Sequence, residues 1–336
     1  MIPPLTPTFD AALRDVSAQQ ARFRGAAAAR LAEPPPDRRD EAVRGLLSLA
    51  NDEVGAVREA AYESLGTLGA SEALSTLLEA FEDDHIGARQ TAVLAVGRVA
   101  PESGIDAIAV LLDDPRPEMR FSAIWTLSYL GAEQSERIAA ALDDRDEEVR
   151  TLALQCLGEL GARGSVDTIA HCLDDASDSV RFAAATSLAT LGDARGATTL
   201  RVSLSQPDRA FAAAVGLGDL ADRESLAALT RLAKHRWRSP ILRAAAARAL
   251  VRLGDPAGAE VIRRIVRSWR IEARQYGVEL VGELGLVSLL PDVARALRKS
   301  RKVERPVYET TLEQLAPKSA EARALLASLR QTNQLP

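Results

Sequence analysis

Apolar residues recur at helical spacing along most of the chain, in a pattern that repeats about every 31 residues. Each repeat contains an Arg near the start of a helix, apolar residues on one face of that helix, and a small residue near its end. This Arg occurs at Arg58, Arg89, Arg120, Arg150 and Arg181, with spacings of 31, 31, 30 and 31 residues. Self-similarity at this period is typical of stacked helical pairs. The pattern therefore predicts an all-α solenoid of about ten helical hairpins.

Each repeat divides into a helix A, a short acidic turn and a helix B that carries the Arg. In residues 71–81, apolar side chains at i, i+3, i+4 and i+7 predict one such helix A. We predict an N-terminal lead-in and cap helix over 1–20, with the helix itself at roughly 11–20. The repeat solenoid is expected over 21–318. A C-terminal capping helix and tail follow over 319–336, with the helix ending near residue 331.

An Asp lies six residues before each of the five Arg residues, in the turn that precedes helix B. An Asp there can cap the helix, and the Arg can reach the carboxylate of a neighbouring turn. Stacked repeats are therefore expected to form a ladder of Asp–Arg pairs. The members of this predicted ladder are Asp52, Arg58, Asp83, Arg89, Asp114, Arg120, Asp144, Arg150, Asp175 and Arg181. After residue 192 the Asp positions become Leu204, Trp237, Ser268 and Lys299.

Three segments share one detailed motif: DEVGAVREAAYESLGTLG (52–69), DDRDEEVRTLALQCLGELG (143–161) and DDASDSVRFAAATSLATLG (174–192). They resemble the HEAT-like repeats first associated with phycobilisome lyases, in which the unit reads roughly D-x-x-x-x-V-R-x-x-A-x-x-A-L-G-x-L-G. The weaker register of this motif extends over about 21–316. The resemblance implies an armadillo-like superhelix. Proteins built from such repeats include bilin lyases, DNA glycosylases, hydroxylases and non-catalytic adaptors, so the resemblance alone does not fix an activity.

Charge is distributed unevenly along the chain. The net charge is −5, yet residues 231–305 contain 18 Lys or Arg against 7 Asp or Glu, a net of +11. The rest of the chain therefore has a net charge of −16. No apolar run approaches the roughly 18 residues of a membrane span. Two cysteines provide no disulfide framework and the N-terminus lacks the order of a secretory signal, so a cytoplasmic location is expected.

Positions one, five and nine after the repeat Arg should face the concave side of a superhelix and should be polar. In one repeat they are instead Phe121, Trp125 and Tyr129, in a chain with only 4% aromatic residues. Exposed aromatic patches usually mark interaction sites, although tight packing of adjacent helices would make the same residues part of the core. The predicted partner-binding residues are Leu94, Phe121, Trp125, Tyr129, Phe182 and Phe211.

Basic residues and two tryptophans alternate in three turns of the C-terminal half. The predicted anion-binding edge comprises Lys234, Arg236, Arg238, Arg267, Arg270, Arg298, Lys299, Arg301 and Lys302, with Trp237 and Trp269 between them. Such an edge suits phosphate, single-stranded nucleic acid or an acidic protein surface. The alternative is a solvated edge stabilised by cation–π contacts. The acidic remainder of the chain argues against general affinity for nucleic acid.

Sequence motifs for catalysis are weak. His85, His171 and His235 are scattered and no His-Glu pair is present, so we expect no metal site and no cofactor. The best candidate for a catalytic acid is Asp219, near Arg248 and Arg252. We therefore expect a non-catalytic adaptor that binds a protein or peptide on its concave face and an acidic partner on its basic edge. The alternative is an enzyme or enzyme subunit, similar to a DNA glycosylase or a bilin lyase, that uses the edge for nucleic acid or an anionic ligand.

Overall fold

A computed structural model of the chain describes residues 7–333, which are α-helical with short 3-10 turns and contain no strand. The expected all-α solenoid is confirmed. The chain forms two compact units that divide between Thr168 and Ile169. The first residues of the predicted lead-in, 1–6, and the end of the predicted tail, 334–336, lie outside the described residues. None of the described helices is both long enough and apolar enough to cross a membrane.

Unit 1 pairs short A helices with long B helices, and each B helix packs against the B helix of the next repeat. Its helices are α1 (Phe9–Asp15), α2 (Ala21–Leu31), α3 (Arg39–Leu49), α4 (Gly55–Leu68), α5 (Leu74–Glu79), α6 (Ile86–Val99), α7 (Ile105–Val110), α8 (Pro117–Leu130), α9 (Ser135–Ala139) and α10 (Glu147–Glu159). The point of division lies within α11 (Val166–His171).

Unit 2 has the same alternation and ends with a helix that packs on its last B helix. Its helices are α12 (Asp178–Leu191), α13 (Ala197–Ser203), α14 (Ala210–Asp219), α15 (Leu226–Lys234), α16 (Pro240–Arg252), α17 (Pro256–Val266), α18 (Ile271–Glu283), α19 (Leu290–Leu297), α20 (Arg305–Leu315) and α21 (Ala320–Asn333). That residues 21–318 form one repeat domain stays a prediction.

Several helix boundaries differ from those expected. The predicted helix over 71–81 is a short α-helix, α5, with a 3-10 turn at Ser71–Ala73 before it and another at Ala80–Glu82 after it. Tighter 3-10 winding is common at helix ends, where backbone groups lack partners within the helix. The first helix begins earlier than predicted and ends at Asp15, whereas the last helix extends to Asn333.

Glycine at the eighth position after the repeat Arg lets consecutive B helices approach closely. A Cβ atom added to Gly66 would lie 3.0 Å from the Cα atom of Ala95 on the next B helix. In unit 2, a Cβ atom on Gly218, eight residues after Ala210 at the position of the repeat Arg, would lie 2.7 Å from the Cα atom of Ala249. Both distances are too short for an ordinary contact, so the repeat requires a residue without a side chain at these two positions.

Three arginines of unit 1 bind a carboxylate in the turn of the following repeat with two parallel hydrogen bonds. Arg58 donates from Nε and Nη2 to Asp83 at 2.7 and 2.6 Å. Arg120 donates from the same atoms to Asp144 at 2.6 and 2.8 Å. Arg24 binds Asp52 in the same way. Bidentate Arg–carboxylate pairs fix geometry as well as charge, so each pair sets the position of one turn relative to the next.

The same arginines also hold their own turn. The Nη1 atom of Arg58 donates to the backbone carbonyl of Asp52, six residues earlier, at 2.8 Å. Arg120 makes the equivalent bond to Asp114 at 2.8 Å. The Asp carboxylate accepts a hydrogen bond from the amide two residues later, as His85 donates to Asp83 at 2.8 Å. The expectation that the Asp caps helix B is wrong for α6, because the N-cap residue there is His85. Asp83 instead closes the turn before the helix.

The predicted pair between Arg89 and Asp114 is replaced by two other pairs, because Arg116 binds Asp114 and Glu118 binds Arg89. The Asp114 carboxylate binds Arg116, two residues later, at 2.9 and 2.8 Å. Arg89 binds Glu118 at 3.0 Å and keeps its bond to the carbonyl of Asp83 at 2.7 Å. The Nε atom of Arg89 is buried and has no hydrogen-bond partner. A glutamate in the first turn of α8 therefore takes the place of the expected aspartate.

The remaining predicted rungs retain the bond to the turn carbonyl. Arg150 donates to the carbonyl of Asp144 at 2.6 Å. Arg181 donates to the carbonyl of Asp175 at 2.6 Å and binds Asp178 on its own helix at 3.0 Å. The position at which the next aspartate would stand is Leu204, so Arg181 has no aspartate at the expected position in the next turn.

The last repeats of unit 2 use another carboxylate for the same task. Arg274 donates to the carbonyl of Ser268 at 3.1 Å and to the Glu304 carboxylate at 2.5 Å. Glu304 is 1% exposed and lies directly before the next repeat arginine, Arg305, rather than six residues before it. The connection between turns is thus kept although the Asp position has become Lys299.

We expect Arg120→Ala to destabilise the protein far more than Arg137→Ala. Arg120 is 4% exposed, and its removal leaves the Asp144 carboxylate buried without its partner, which costs about 3–5 kcal/mol. Arg137 is the matched control, since its ion pair with Asp106 at 2.9 Å is exposed and worth less than about 1 kcal/mol. Urea unfolding of the two variants measures the difference. Similar losses in both would show that the buried pair does not stabilise the stack.

We also expect stability to fall below about pH 4 because of Asp83. Burial opposes the charge on this carboxylate, but hydrogen bonds from Arg58 and the His85 amide outweigh burial and lower its pKa from 3.8 to about 2. A carboxyl with a lowered pKa stabilises the fold above its unfolded pKa and loses that contribution as the pH falls through its folded pKa. The loss between about pH 4 and pH 2 is about 2 kcal/mol.

The measurement is urea unfolding of the wild type and Asp83→Asn from pH 2 to pH 6. The variant should have a shallower pH dependence below pH 4 than the wild type. Asp106→Asn, at a carboxylate whose side chain is 88% exposed, should leave the wild-type profile unchanged. Identical profiles for the wild type and Asp83→Asn would contradict the expected role of Asp83.

Candidate functional site

The aromatic stripe, Phe121, Trp125 and Tyr129, lies along one side of α8 and is exposed. The three residues are 38, 54 and 69% exposed, respectively. Their spacing of four residues places them on a single line along the helix. On the other side of α8, Met119 and Ile124 are fully buried. The helix is therefore apolar on both sides, and the core of unit 1 covers only one of them.

Acidic side chains surround the Phe121 end of the stripe. A cavity of about 310 Å³ is lined there by Gln90, Pro117, Glu118, Phe121, Asp146, Glu148 and Val149. Three of these lining residues are carboxylates and none is a Lys or Arg. Although Glu118 is paired with Arg89, Glu148 is exposed at the N-terminus of α10. The rim of the stripe at this end is thus negatively charged.

The Tyr129 end borders a second, shallower hollow. Its volume is about 620 Å³, and its lining residues are Gly66, Thr67, Gly69, Gly97, Arg98, Pro101, Tyr129 and Leu130. Of its three glycines only Gly69 is exposed, because Gly66 and Gly97 are buried against the next B helix. The stripe therefore extends from an acidic cavity at one end to a shallow hollow at the other.

The other predicted members of the aromatic face are divided between the units. Leu94 is half-buried on α6, the B helix that packs against α8. Phe182 on α12 is half-buried, and the Arg209 guanidinium lies 5.0 Å from its ring centroid. Phe211 on α14 is 42% exposed. The structure thus places Leu94 beside the stripe, whereas Phe182 and Phe211 belong to the surface of unit 2.

The predicted basic edge lies in turns of unit 2 that join A helices to B helices. Trp237 and Trp269 are 82 and 83% exposed, the highest values among the large apolar side chains described. Each has a neighbouring guanidinium over its ring, Arg236 at 5.2 Å and Arg270 at 5.4 Å. Within residues 7–333, no carboxylate forms an ion pair with the predicted edge residues Lys234, Arg298, Lys299 or Lys302.

One predicted edge residue, Arg267, differs from these four because it forms an ion pair within unit 2. Arg267 donates to Asp292 from Nε at 2.8 Å and lies 2.7 Å from the same oxygen through Nη2. Asp292 is 7% exposed and also lies 3.4 Å from Arg263. Arg267 therefore serves first as a tie between α17 and α19, with about half of its side chain exposed.

Sequence reasoning overlooked a set of arginines in the A helices of unit 2. Arg201, Arg231, Arg263 and Arg295 lie near the C-terminal ends of α13, α15, α17 and α19. Their spacings of 30, 32 and 32 residues follow the repeat. That periodicity was the signal that could have identified them. Cations at helix C-termini also interact favourably with the helix dipole, which gives these arginines a structural role as well.

The candidate catalytic acid, Asp219, is already bound by two arginines. The Asp219 carboxylate accepts hydrogen bonds from Arg248 at 2.8 Å and from Arg252, which ties α14 to α16. Burial raises the pKa of the Cys156 thiol. Among the described residues, no group of three or more His, Cys, Asp or Glu side chains is arranged to hold a metal ion.

Comparison with protein-family models identifies the repeat. A model described as HEAT repeats matches residues 10–88 and 135–215. A model described as PBS lyase HEAT-like repeat matches residues 242–268. Together, the two models match more than half of the chain. The chain belongs to the HEAT-repeat family. The family expected from the sequence motif is therefore confirmed.

Solved structures share the fold of this HEAT-repeat chain at low identity. The complex of CpcE and CpcF of phycocyanin lyase from Nostoc sp. PCC7120 matches with 22% identity and a TM-score of 0.52, over 67% of this chain and 94% of the solved chain. The Escherichia coli protein YibA matches with 17% identity and a TM-score of 0.56, over 74% and 93%. The Kap95:Nup1 complex matches with 13% identity and a TM-score of 0.60, over 90% and 49%. The curated proteins give no match.

We expect the fluorescence of the HEAT-repeat chain to report solvent-exposed tryptophans. All three, Trp125, Trp237 and Trp269, are more than half exposed, so their emission should resemble that of tryptophan in water. In variants that retain one tryptophan, iodide should quench Trp237 and Trp269 more than caesium does, because cations surround them. Caesium should be relatively more effective at Trp125, near the acidic rim. A blue-shifted, poorly quenched Trp125 would place the stripe in the core.

Proposed function

We propose that the protein is a non-catalytic scaffold that binds a protein or peptide partner on the aromatic stripe of α8. The observation that carries this proposal is the exposure of Phe121, Trp125 and Tyr129 in one line, at 38, 54 and 69%. Large apolar side chains left in solvent favour association, because a partner that covers them removes apolar surface from water. Trp and Tyr are also enriched among the residues that dominate binding energy.

The surroundings of the stripe favour a partner with positive charge. Glu118, Asp146 and Glu148 line the cavity beside Phe121, and Glu159 is exposed farther along α10. A basic segment with apolar residues on one side would place its apolar residues on the stripe and its Lys or Arg side chains near these carboxylates. An amphipathic helix is the simplest form of such a segment, since its apolar residues recur at the spacing of the stripe.

The solved structures of similar fold add general support for a protein partner. Two of them are described as complexes, CpcE with CpcF and Kap95 with Nup1. Their identities of 22 and 13% to this chain mean that they support only the use of the fold for protein association. The ties between Asp219 and two arginines support a scaffold over an enzyme that would use this carboxylate.

We expect Trp125→Ala to weaken partner binding without unfolding the protein. Truncation of an exposed residue usually changes stability by less than about 0.5 kcal/mol, whereas truncation of a binding hot spot costs about 2 kcal/mol or more, about 30-fold in the dissociation constant. The matched control is Gln155→Ala, because Gln155 is exposed at the same position of the next B helix, five residues after Arg150. This control should bind as the wild type does.

The experiment has two stages. Partners captured from the native cell by the wild type are compared with those retained by Trp125→Ala and Gln155→Ala, and the dissociation constant of each purified partner is then measured for all three proteins. Urea midpoints are recorded on the same samples. A stability loss of about 3–5 kcal/mol in Trp125→Ala would assign this residue to the core. Unchanged affinity for every partner would remove the stripe as the binding site.

A further inference from the structure

Two similar cavities open at the C-terminal ends of the A helices of unit 2. The first, of about 400 Å³, lies between α17 and α19 and is lined by Val266, Arg267, Ser268, Trp269, Arg274, Asp292, Arg295, Ala296 and Lys299. The second, of about 380 Å³, lies between α13 and α15 and is lined by Arg201, Leu204, Ser205, Ala228, Arg231, Leu232, His235 and Arg238. Both volumes are in the range of small-ligand pockets. The repeat thus produces the same kind of pocket twice.

Both cavities are strongly cationic. The first has four Lys or Arg residues against one carboxylate, Asp292, which Arg267 already binds at 2.7 Å. The second has three arginines and no carboxylate in its lining, although one of these arginines, Arg201, is paired with Asp222 and Glu224 outside it. Within the part of the chain that the structure describes, the side chains of Arg231, Arg295 and Lys299 make no ion pair. Their charges therefore remain available to an anionic ligand.

An exposed tryptophan accompanies each cationic cavity. Trp269 lines the first cavity, and Trp237 lies in the turn that contributes His235 and Arg238 to the second. With 82 and 83% of their surface exposed, these rings contribute little to the core of unit 2. The two turns belong to consecutive repeats, because α15 packs on α17. Helices in contact lie about 8–10 Å apart, so the turns that carry the two rings recur along one edge at a spacing of that order.

We propose that this row of turns binds a short segment of single-stranded nucleic acid. Bases stack on Trp237 and Trp269, and the phosphates contact Arg231, Arg295 and Lys299. A nucleotide combines a planar ring with an anionic group, so it matches both features of the row at once. A peptide rich in Asp and Glu supplies the charge but has no ring for either tryptophan. In a duplex the base faces are already stacked, which favours a single strand.

The acidic remainder of the chain does not prevent this binding at physiological salt. Charges there sum to −16, against +11 for residues 231–305. The Debye length is about 8 Å at physiological ionic strength, so a bound strand responds mainly to the charges within one or two side-chain lengths. Among the residues that line the two cavities, only Asp292 is acidic. Local charge therefore dominates over net charge at this edge.

The test uses a fluorescein-labelled oligothymidylate of about ten nucleotides and the full-length protein. Fluorescence anisotropy should show binding whose affinity falls as the salt concentration rises. A plot of the logarithm of the binding constant against the logarithm of the salt concentration should have a slope of about −2 if about three phosphates are contacted. Trp269→Ala and Lys299→Glu should each weaken binding at least tenfold. Arg223→Glu is the matched control for charge, since Arg223 is exposed in the 3-10 turn before α15, at the other end of an A helix. This control should change affinity less than threefold.

Two further measurements distinguish a nucleic-acid site from a site for acidic protein and from the aromatic stripe. Oligothymidylate should quench the fluorescence of Trp125→Phe, in which Trp237 and Trp269 are the remaining tryptophans. Trp125→Ala should bind as the wild type does, so failure of the scaffold proposal would not affect this result. Absence of binding at low salt would overturn the proposal. Equal affinity for a polyglutamate of the same charge would also overturn it, because the edge would then be a site for acidic protein.

Discussion

The arrangement of the repeats depends on one side chain, the arginine in the first turn of the B helices, which only α14 lacks among those described because it has Ala210 at this position. In unit 1 it donates one hydrogen bond to the carbonyl six residues earlier. Bonds to a carboxylate in the next repeat are made by Arg24, Arg58, Arg89, Arg120 and Arg274. Arg58 and Arg120 show the full arrangement, with all distances between 2.6 and 2.8 Å. Because Arg120 is 4% exposed, these bonds form where water competes little. The contact both shapes a turn and positions its neighbour, which accounts for the strict period of the sequence.

In unit 2 the ladder aspartate is missing from several turns, and the residues of these turns differ from those of unit 1. Where the ladder aspartate is absent, its position is occupied by residues such as Trp237 and Lys299. Arg274 keeps its bond to the turn carbonyl and takes Glu304 as the substitute carboxylate at 2.5 Å. Arg243 instead donates from Nε to the carbonyl of Ala233, ten residues earlier, at 3.1 Å. A turn that no longer supplies the carboxylate can vary in sequence, and in this unit the variable turns contain the exposed tryptophans and basic residues.

The sequence was sufficient to predict the fold because the period, the arginine and the small residue near the end of the same helix are local signals. It also predicted that Phe121, Trp125 and Tyr129 occupy positions outside the core, since the repeat assigns those positions to a helix surface. It could not predict that Arg116 binds Asp114 and leaves Arg89 to Glu118, because that choice depends on competition between side chains at similar distances. Nor could it predict the two cationic cavities, since their linings combine residues from separate repeats.

Both candidate surfaces use positions that the repeat does not need for stacking. Trp125 lies between the buried positions of α8, and Trp269 lies in a turn whose structural bonds are made by the backbone of Ser268 and the side chain of Arg274. Mutation at such positions should remove the proposed binding contacts while the buried arginines and apolar residues keep the helices stacked. Binding and stability should therefore be separable in this protein to an unusual degree. The separation has a physical origin, because in a stack of repeats the folding constraints are confined to the contacts between neighbouring helices and turns.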